Sequence, residues 1–96
     1  MNWIISYHKD VVEDLKSVGS FAAKRILRAI DGKLTQAPLT FGAPLSGNLS
    51  IFRKLRVGDF RVVYQVIHSD VIVYVLAVGP RRDKEIYTAA GKRTDY

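Results

Sequence analysis

Lys54-Leu55-Arg56-Val57-Gly58-Asp59-Phe60-Arg61-Val62-Val63-Tyr64 is a pair of β-rich runs joined by a two-residue break. Gly and Asp both tolerate the positive φ that tight hairpin turns demand, so the stretch reads as a β-hairpin. Side chains alternate between the two faces of a strand. In the second run that alternation sets Phe60, Val62, Tyr64 and Val66 on one face, and Arg61, Val63, Gln65 and Ile67 on the other. In the first, Lys54 and Arg56 share a face, with Arg53, Leu55 and Val57 opposite. Burying an unpaired charge costs several kcal/mol or more, which turns Lys54, Arg56 and Arg61 outward. Cations gathered on one face of a small sheet form a site for a polyanion.

Working outward from the hairpin, a third apolar run at 71–78 follows the turn His68-Ser69-Asp70 and ends in Val78-Gly79-Pro80-Arg81-Arg82. Strands are predicted at 51–57, 60–67 and 71–78, as a meander. Upstream, Trp3-Ile4-Ile5-Ser6-Tyr7 is a further strand. Two helices come between. The first, at 8–16, carries Val11, Val12 and Leu15 as an apolar stripe. The second, at 21–34, follows Gly19 and an N-capping Ser20, with Phe21, Ile26, Ile30 and Leu34 on its apolar face. Lys24, Arg25, Arg28 and Lys33 take its other side. Residues 36–48 hold Pro38, Gly42, Pro44, Gly47 and Asn48 and read as an ordered surface linker. Asp83 is placed to cap a short helix at 84–90 that ends at Gly91 and projects Tyr87 near Arg81. The expected fold is α+β: a four-stranded sheet of one N-terminal strand and a three-stranded antiparallel meander. A two-helix hairpin covers one face, and a short C-terminal helix closes the chain.

Ninety-six residues fit one domain, 1–96. The chain has no cysteine, which excludes disulfides, thiolate metal sites and a cysteine nucleophile. The apolar run at 71–78 is far short of the ~18 residues of a membrane span. The first residues lack the basic lead and small-residue cleavage site of a signal peptide, so a cytoplasmic protein without membrane contact is expected. Net charge is +6, and it leans toward the second half. Residues 1–52 hold six basic and four acidic side chains, and residues 53–96 hold nine and five. This excess favours nucleic acid or an acidic protein as partner. His8 and His68 have no second ligand at metal spacing and are expected at the surface. Tyr64 and Tyr74 are expected in the core, and Asp59 serves the turn.

The order of elements, with the Lys54–Tyr64 run and Val78-Gly79-Pro80-Arg81-Arg82-Asp83, resembles the RelE/ParE toxin superfamily over nearly the whole chain, its RelE branch most closely. RelE-like toxins are ribosome-dependent endoribonucleases that cut messenger RNA in the ribosomal A site and are neutralised by a cognate antitoxin. The resemblance implies neither cofactor nor metal. Carried over residue by residue, it makes Lys54, Arg61, Arg81 and Tyr87 the catalytic set, with Arg53, Arg56 and Arg82 as auxiliary RNA-binding cations. The chain departs from the pattern at Phe52, where the best-matching relative has a second lysine, and at Pro80, where many relatives carry histidine. With no histidine after His68, the chemistry falls to lysine, arginine and tyrosine.

RNA cleavage of this kind is attack by the ribose 2′-hydroxyl on the adjacent phosphorus, leaving a cyclic phosphate and a 5′-hydroxyl. Arginine's planar fork suits the dianionic phosphorane, and Arg61 and Arg81 are assigned to it. Lysine can take the 2′-hydroxyl proton where neighbouring cations favour its neutral form, which assigns Lys54. Tyr87 is assigned to stack on an unpaired base or orient the nucleophile. The leaving-group acid is unassigned. The alternative within the same fold is a ParE-like toxin that binds and inhibits DNA gyrase without catalysis. On either reading the antitoxin is expected to be acidic, with a segment that folds over the basic face on binding.

Overall fold

The computed structural model describes residues 2–47, 51–82 and 84–94. Five strands form one mixed sheet in the order β1-β5-β4-β3-β2: β1 Ile4–Tyr7, β2 Ala43–Pro44, β3 Phe52–Val57, β4 Phe60–Ile67 and β5 Ile72–Pro80. β1 lies parallel to β5, and the other pairings are antiparallel. Four strands are expected from the residues. The fifth, β2, is two residues of the linker that pair with Arg53 and Lys54, too short to leave a periodic signal. In the β3–β4 hairpin Arg56 stands opposite Arg61, and Gly58 takes φ 59° in the turn. That backbone region suits glycine.

The helical hairpin is α1 Val11–Val18 and α2 Ser20–Ala29, continued by a π-helical turn Ile30–Leu34. Gly19, at φ 91°, separates α1 from α2 and occupies the capping position expected of Ser20, which is the first helical residue instead. Val11, Ile26, Ile30 and Leu34 pack against Leu55, Val57, Val62, Tyr64, Val73, Val75 and Val78. Two expected core residues are outside it: Val12 is 55% exposed and Phe21 is 86% exposed. Phe21 sits at the first turn of α2, beyond the reach of the sheet.

The opposite face of the sheet is covered in part by α4 Glu85–Lys92, whose Ile86 and Ala90 pack with Phe52, Val63, Tyr74, Leu76 and Ala77. Helices therefore lie on both faces. Gly91 is inside α4 rather than after it, and the expected cap at Asp83 falls outside the described residues. β5 carries a bulge where its two faces change over. Val63 pairs with Ala77 and Tyr64 with Val75, so Leu76 is the extra residue. Leu76 and Ala77 then share a face, and the alternation beyond them reverses, with Val78 on the α1 side. A bulge of this kind re-aims the side chains beyond it.

Linker and sheet are tied by a short helical turn, α3 Pro38–Phe41. Buried Tyr64 donates its hydroxyl hydrogen to Pro38 O at 2.6 Å. Tyr74 is also buried, as expected. So is His8, contrary to its expected place at the surface. Its Nδ1 accepts from the Asp10 N–H at 3.1 Å, and its ring lies 6.2 Å from that of Tyr74. His68 is exposed, with its ring edge-on to Trp3. Among the described residues no helix is long and apolar enough to cross a membrane.

Candidate nucleic-acid interface

Three of the expected residues converge. Lys54 from β3, Arg61 from β4 and Tyr87 from α4 line one cleft of about 340 Å³, whose remaining wall is Pro44, Leu45 and Ser46 of the linker. Parity places them there. Lys54 and Arg61 stand on the α4 face of the sheet, and Tyr87 follows Ile86, the residue that anchors α4 to it. Arg61 Nη1 donates to the Tyr87 hydroxyl oxygen. The phenol is thus oriented by Arg61 and keeps its own O–H to donate. Gly79 stands opposite Arg61, and a Cβ there would be 2.4 Å from Ile86 Cγ2. The missing side chain lets α4 approach the strand closely enough for Tyr87 to reach Arg61.

Arg56 is exposed on the same face, directly opposite Arg61. Like charges in that relation are destabilising. Arg56 swings toward the turn, where its Nε donates to Gly58 O at 3.1 Å. The hairpin tip gathers a further cation from α2. A Cβ on Gly58 would be 2.7 Å from Arg25 Nη1, so Arg25 lies against the turn. Helical spacing puts Arg25 only on the polar side of α2, because nothing in the local pattern signals that α2 passes beside the hairpin turn.

Arg81 is outside the cleft. Its N–H donates to Asp59 O at 2.9 Å, and its side chain lies with Asp59, Pro80 and Arg82 around a separate hollow of about 260 Å³. Arg53 is on the other face of the sheet altogether. Its Nη2 donates to Leu39 O at 2.9 Å and to Gly42 O at 2.7 Å, which binds it to the linker rather than to the open face. Regular alternation in β3 is the cause, since no bulge interrupts the β3–β4 pairing. Phe52 has the parity of Lys54 but is 3% exposed in the α4 layer, so an apolar contact occupies the position where the family pattern has a lysine. Among the described residues no group of three or more His, Cys, Asp or Glu is arranged to hold a metal ion.

Residues 5–85 match the family described as the ParE toxin of the parDE type II toxin–antitoxin system. The chain belongs to this family. It is also similar to the mRNA interferase toxin RelE of Escherichia coli K12, with 28% identity over 94 residues, covering 97% of this chain and 98% of that protein. Among solved structures it resembles a double arginine-to-alanine variant of the Escherichia coli toxin RelE in the free state, at 26% identity and a TM-score of 0.80. That match covers 98% of this chain and 99% of the other. An archaeal RelE–RelB complex from Pyrococcus horikoshii OT3 matches at 29% identity and a TM-score of 0.65, over 84% of this chain and 97% of its own. The α+β fold read from the sequence is the fold of these toxins, with one more strand than expected.

Proposed function

We propose that this chain is the toxin of a type II toxin–antitoxin pair and cuts messenger RNA in the ribosomal A site, acting in the cytoplasm as one domain. The observation that carries the reading is the convergence of Lys54, Arg61 and Tyr87 on one cleft beside cations without carboxylate partners among the described residues. The similarity to mRNA interferase toxins supports it from a separate direction.

In the proposed reaction the ribose 2′-hydroxyl attacks the neighbouring phosphorus and Lys54 takes its proton. Arg61 holds the phosphorane oxygens through charge-assisted bonds. Tyr87, held by Arg61, points its O–H at the scissile region or stacks on the adjacent base. The bond to the 5′-oxygen breaks and that oxygen takes a proton from water, giving a cyclic phosphate and a free 5′-hydroxyl, while the proton held by Lys54 returns to solvent. These steps use no side chains but lysine, arginine and tyrosine and call for no metal. Arg56 and Arg82, both exposed, guide the strand from either side of the hairpin tip, with Arg81 joining once RNA spans the two hollows. The cognate antitoxin is an acidic chain that covers this basic face. Solved relatives with bound RelB antitoxins support such a partner.

Toeprinting on a translating messenger tests the reading. Ribosome-dependent cuts at A-site codons that vanish in Arg61→Ala and Lys54→Ala are the expected result. The match to the ParE toxin family keeps open a second reading, the gyrase inhibition that the sequence resemblance offers as its alternative. Loss of supercoiling activity without any cleavage would replace the first reading with that one.

A further inference from the structure

Tyr87 reaches the cleft from an eight-residue helix that two buried side chains, Ile86 and Ala90, hold against the sheet. A polar clasp lies at its end. Arg93, the residue after α4, donates from Nη1 to Asp14 Oδ2 at 2.7 Å and to Leu76 O at 3.0 Å, and from Nη2 to Asp14 Oδ1 at 3.4 Å. Its Nε lies 3.9 Å from Asp10 Oδ2. Asp14 Oδ2 also accepts the Val78 N–H at 3.0 Å. Both charged side chains are only 18% exposed.

One carboxylate on α1 thus joins the edge of β5 to the end of α4. β1 pairs with β5 only as far as Val75, so Val78 has no strand beyond it, and Asp14 substitutes for one. Val78 adjoins Gly79, the residue opposite Arg61, while Arg93 ends the helix that carries Tyr87. The clasp therefore grips both sides of the Arg61–Tyr87 contact from the far end of the layer. In some proteins a largely buried ion pair confers a defined geometry more than stability.

We propose that Asp14 and Arg93 are positioning residues, whose ion pair sets the placement of Tyr87 against Arg61 and so the chemical step. The proposal rests on the interferase reading for its kinetic part only. Arg93→Met removes the clasp. Asp14→Asn combined with Arg93→Met removes both charges, leaves the Val78 N–H an acceptor, and serves where the single variant folds poorly. Single-turnover cleavage on programmed ribosomes is expected to slow about tenfold or more, with the half-saturating ribosome concentration within about twofold. In a Tyr87→Phe background the same changes are expected to add nothing, and Arg93→Lys to recover part of the rate. Equal proportional losses in both backgrounds, or a loss that tracks the unfolded fraction, would overturn the proposal. The ring resonance of Tyr87 in ¹³C-tyrosine-labelled protein, assigned by its disappearance in Tyr87→Phe, is expected to shift in Arg93→Met. An unmoved resonance would also overturn it. That spectrum is informative even if the wild type cuts no RNA, an outcome that would sink the interferase reading alone.

Discussion

Arg53 and Lys54 are neighbours in β3, and the sheet sends them to opposite circumstances. On the helical-hairpin side, Arg53 spends its guanidinium on two linker carbonyls beside a buried tyrosine. On the α4 side, Lys54 faces an open cleft with Arg61 and Tyr87. One cation has become part of the fold, while the other remains available to a ligand. The contrast shows that a basic residue's role in this chain is set by strand parity and by what lies across the face, more than by its place in a basic sequence.

The two faces predict opposite consequences for the same kind of mutation. The largest effect is expected from Arg61→Ala. Loss of a fixed donor to a developing oxyanion costs about 10²–10³ in rate, read as single-turnover cleavage on ribosomes. Stability is expected to hold or rise slightly in urea melts, because the change also relieves the cross-strand opposition to Arg56. A variant that unfolds instead would show that the cleft face is structural.

Gly42→Ala ranks next and acts from the other side. A Cβ at Gly42 would stand 1.7 Å from the Tyr64 hydroxyl and 2.7 Å from Cζ. Either Tyr64 gives up Pro38 O or the linker lifts from the sheet. Overpacking costs about 1–3 kcal/mol, and the lost hydrogen bond about 1 more. The linker also supplies Pro44, Leu45 and Ser46 to the cleft, so cleavage per folded molecule is expected to fall as well. Unchanged urea midpoints would break the link between linker seating and the Tyr64 anchor.

Arg53→Met is the counterpart of Arg61→Ala. It strips donors from two carbonyls, at about 1–3 kcal/mol for groups left unsatisfied. The buried Arg53 Nε, which has no acceptor among the described residues, moves the expectation toward the lower end. Cleavage normalised to folded protein is expected to stay within about twofold of wild type. A large loss of cleavage in folded Arg53→Met would return Arg53 to the RNA-binding set and dissolve the division between the faces.

Much of this is legible in the residues. The Gly58-Asp59 turn specifies the hairpin, and period-two alternation sorts Lys54, Arg56 and Arg61 from Arg53 correctly. The illegible part depends on contacts distant in sequence. The β5 bulge at Leu76 leaves no mark in an apolar run. Phe21 and Val12 have helical spacing, but spacing says nothing about how far the sheet extends beneath a helix. His8 is buried with its ring beside that of Tyr74, a residue 66 positions away, and Arg93 pairs with Asp14 across 79 positions. Arg81 matches a motif, yet it lies with Asp59, Pro80 and Arg82 around a hollow separate from the cleft, which no local pattern signals.

The smallest expected effect again separates the faces, now through pH. Burial raises the Tyr64 phenol above its ordinary value of 10.0, and the hydrogen bond and charge of Arg53 pull it part of the way back. Tyr7 is raised by burial and by the Asp31 carboxylate. A folded-state value above the unfolded one means that the unfolded chain ionises first. The contribution is therefore fully present below a pH of about 10 and is lost as pH climbs through the folded-state value. Urea midpoints measured from about pH 8 to about pH 11 should fall toward the alkaline end. In Tyr64→Phe that fall should be shallower, with the Tyr7 part remaining. In Arg53→Met it should be steeper, because the guanidinium that favours the phenolate is gone while the burial persists. Lys54→Ala, one residue away on the other face, should leave the Tyr64 part of the profile where it was. If Lys54→Ala instead steepened the alkaline fall as much as Arg53→Met, the two cations would be acting on one another's face through the strand, and β3 would not separate them.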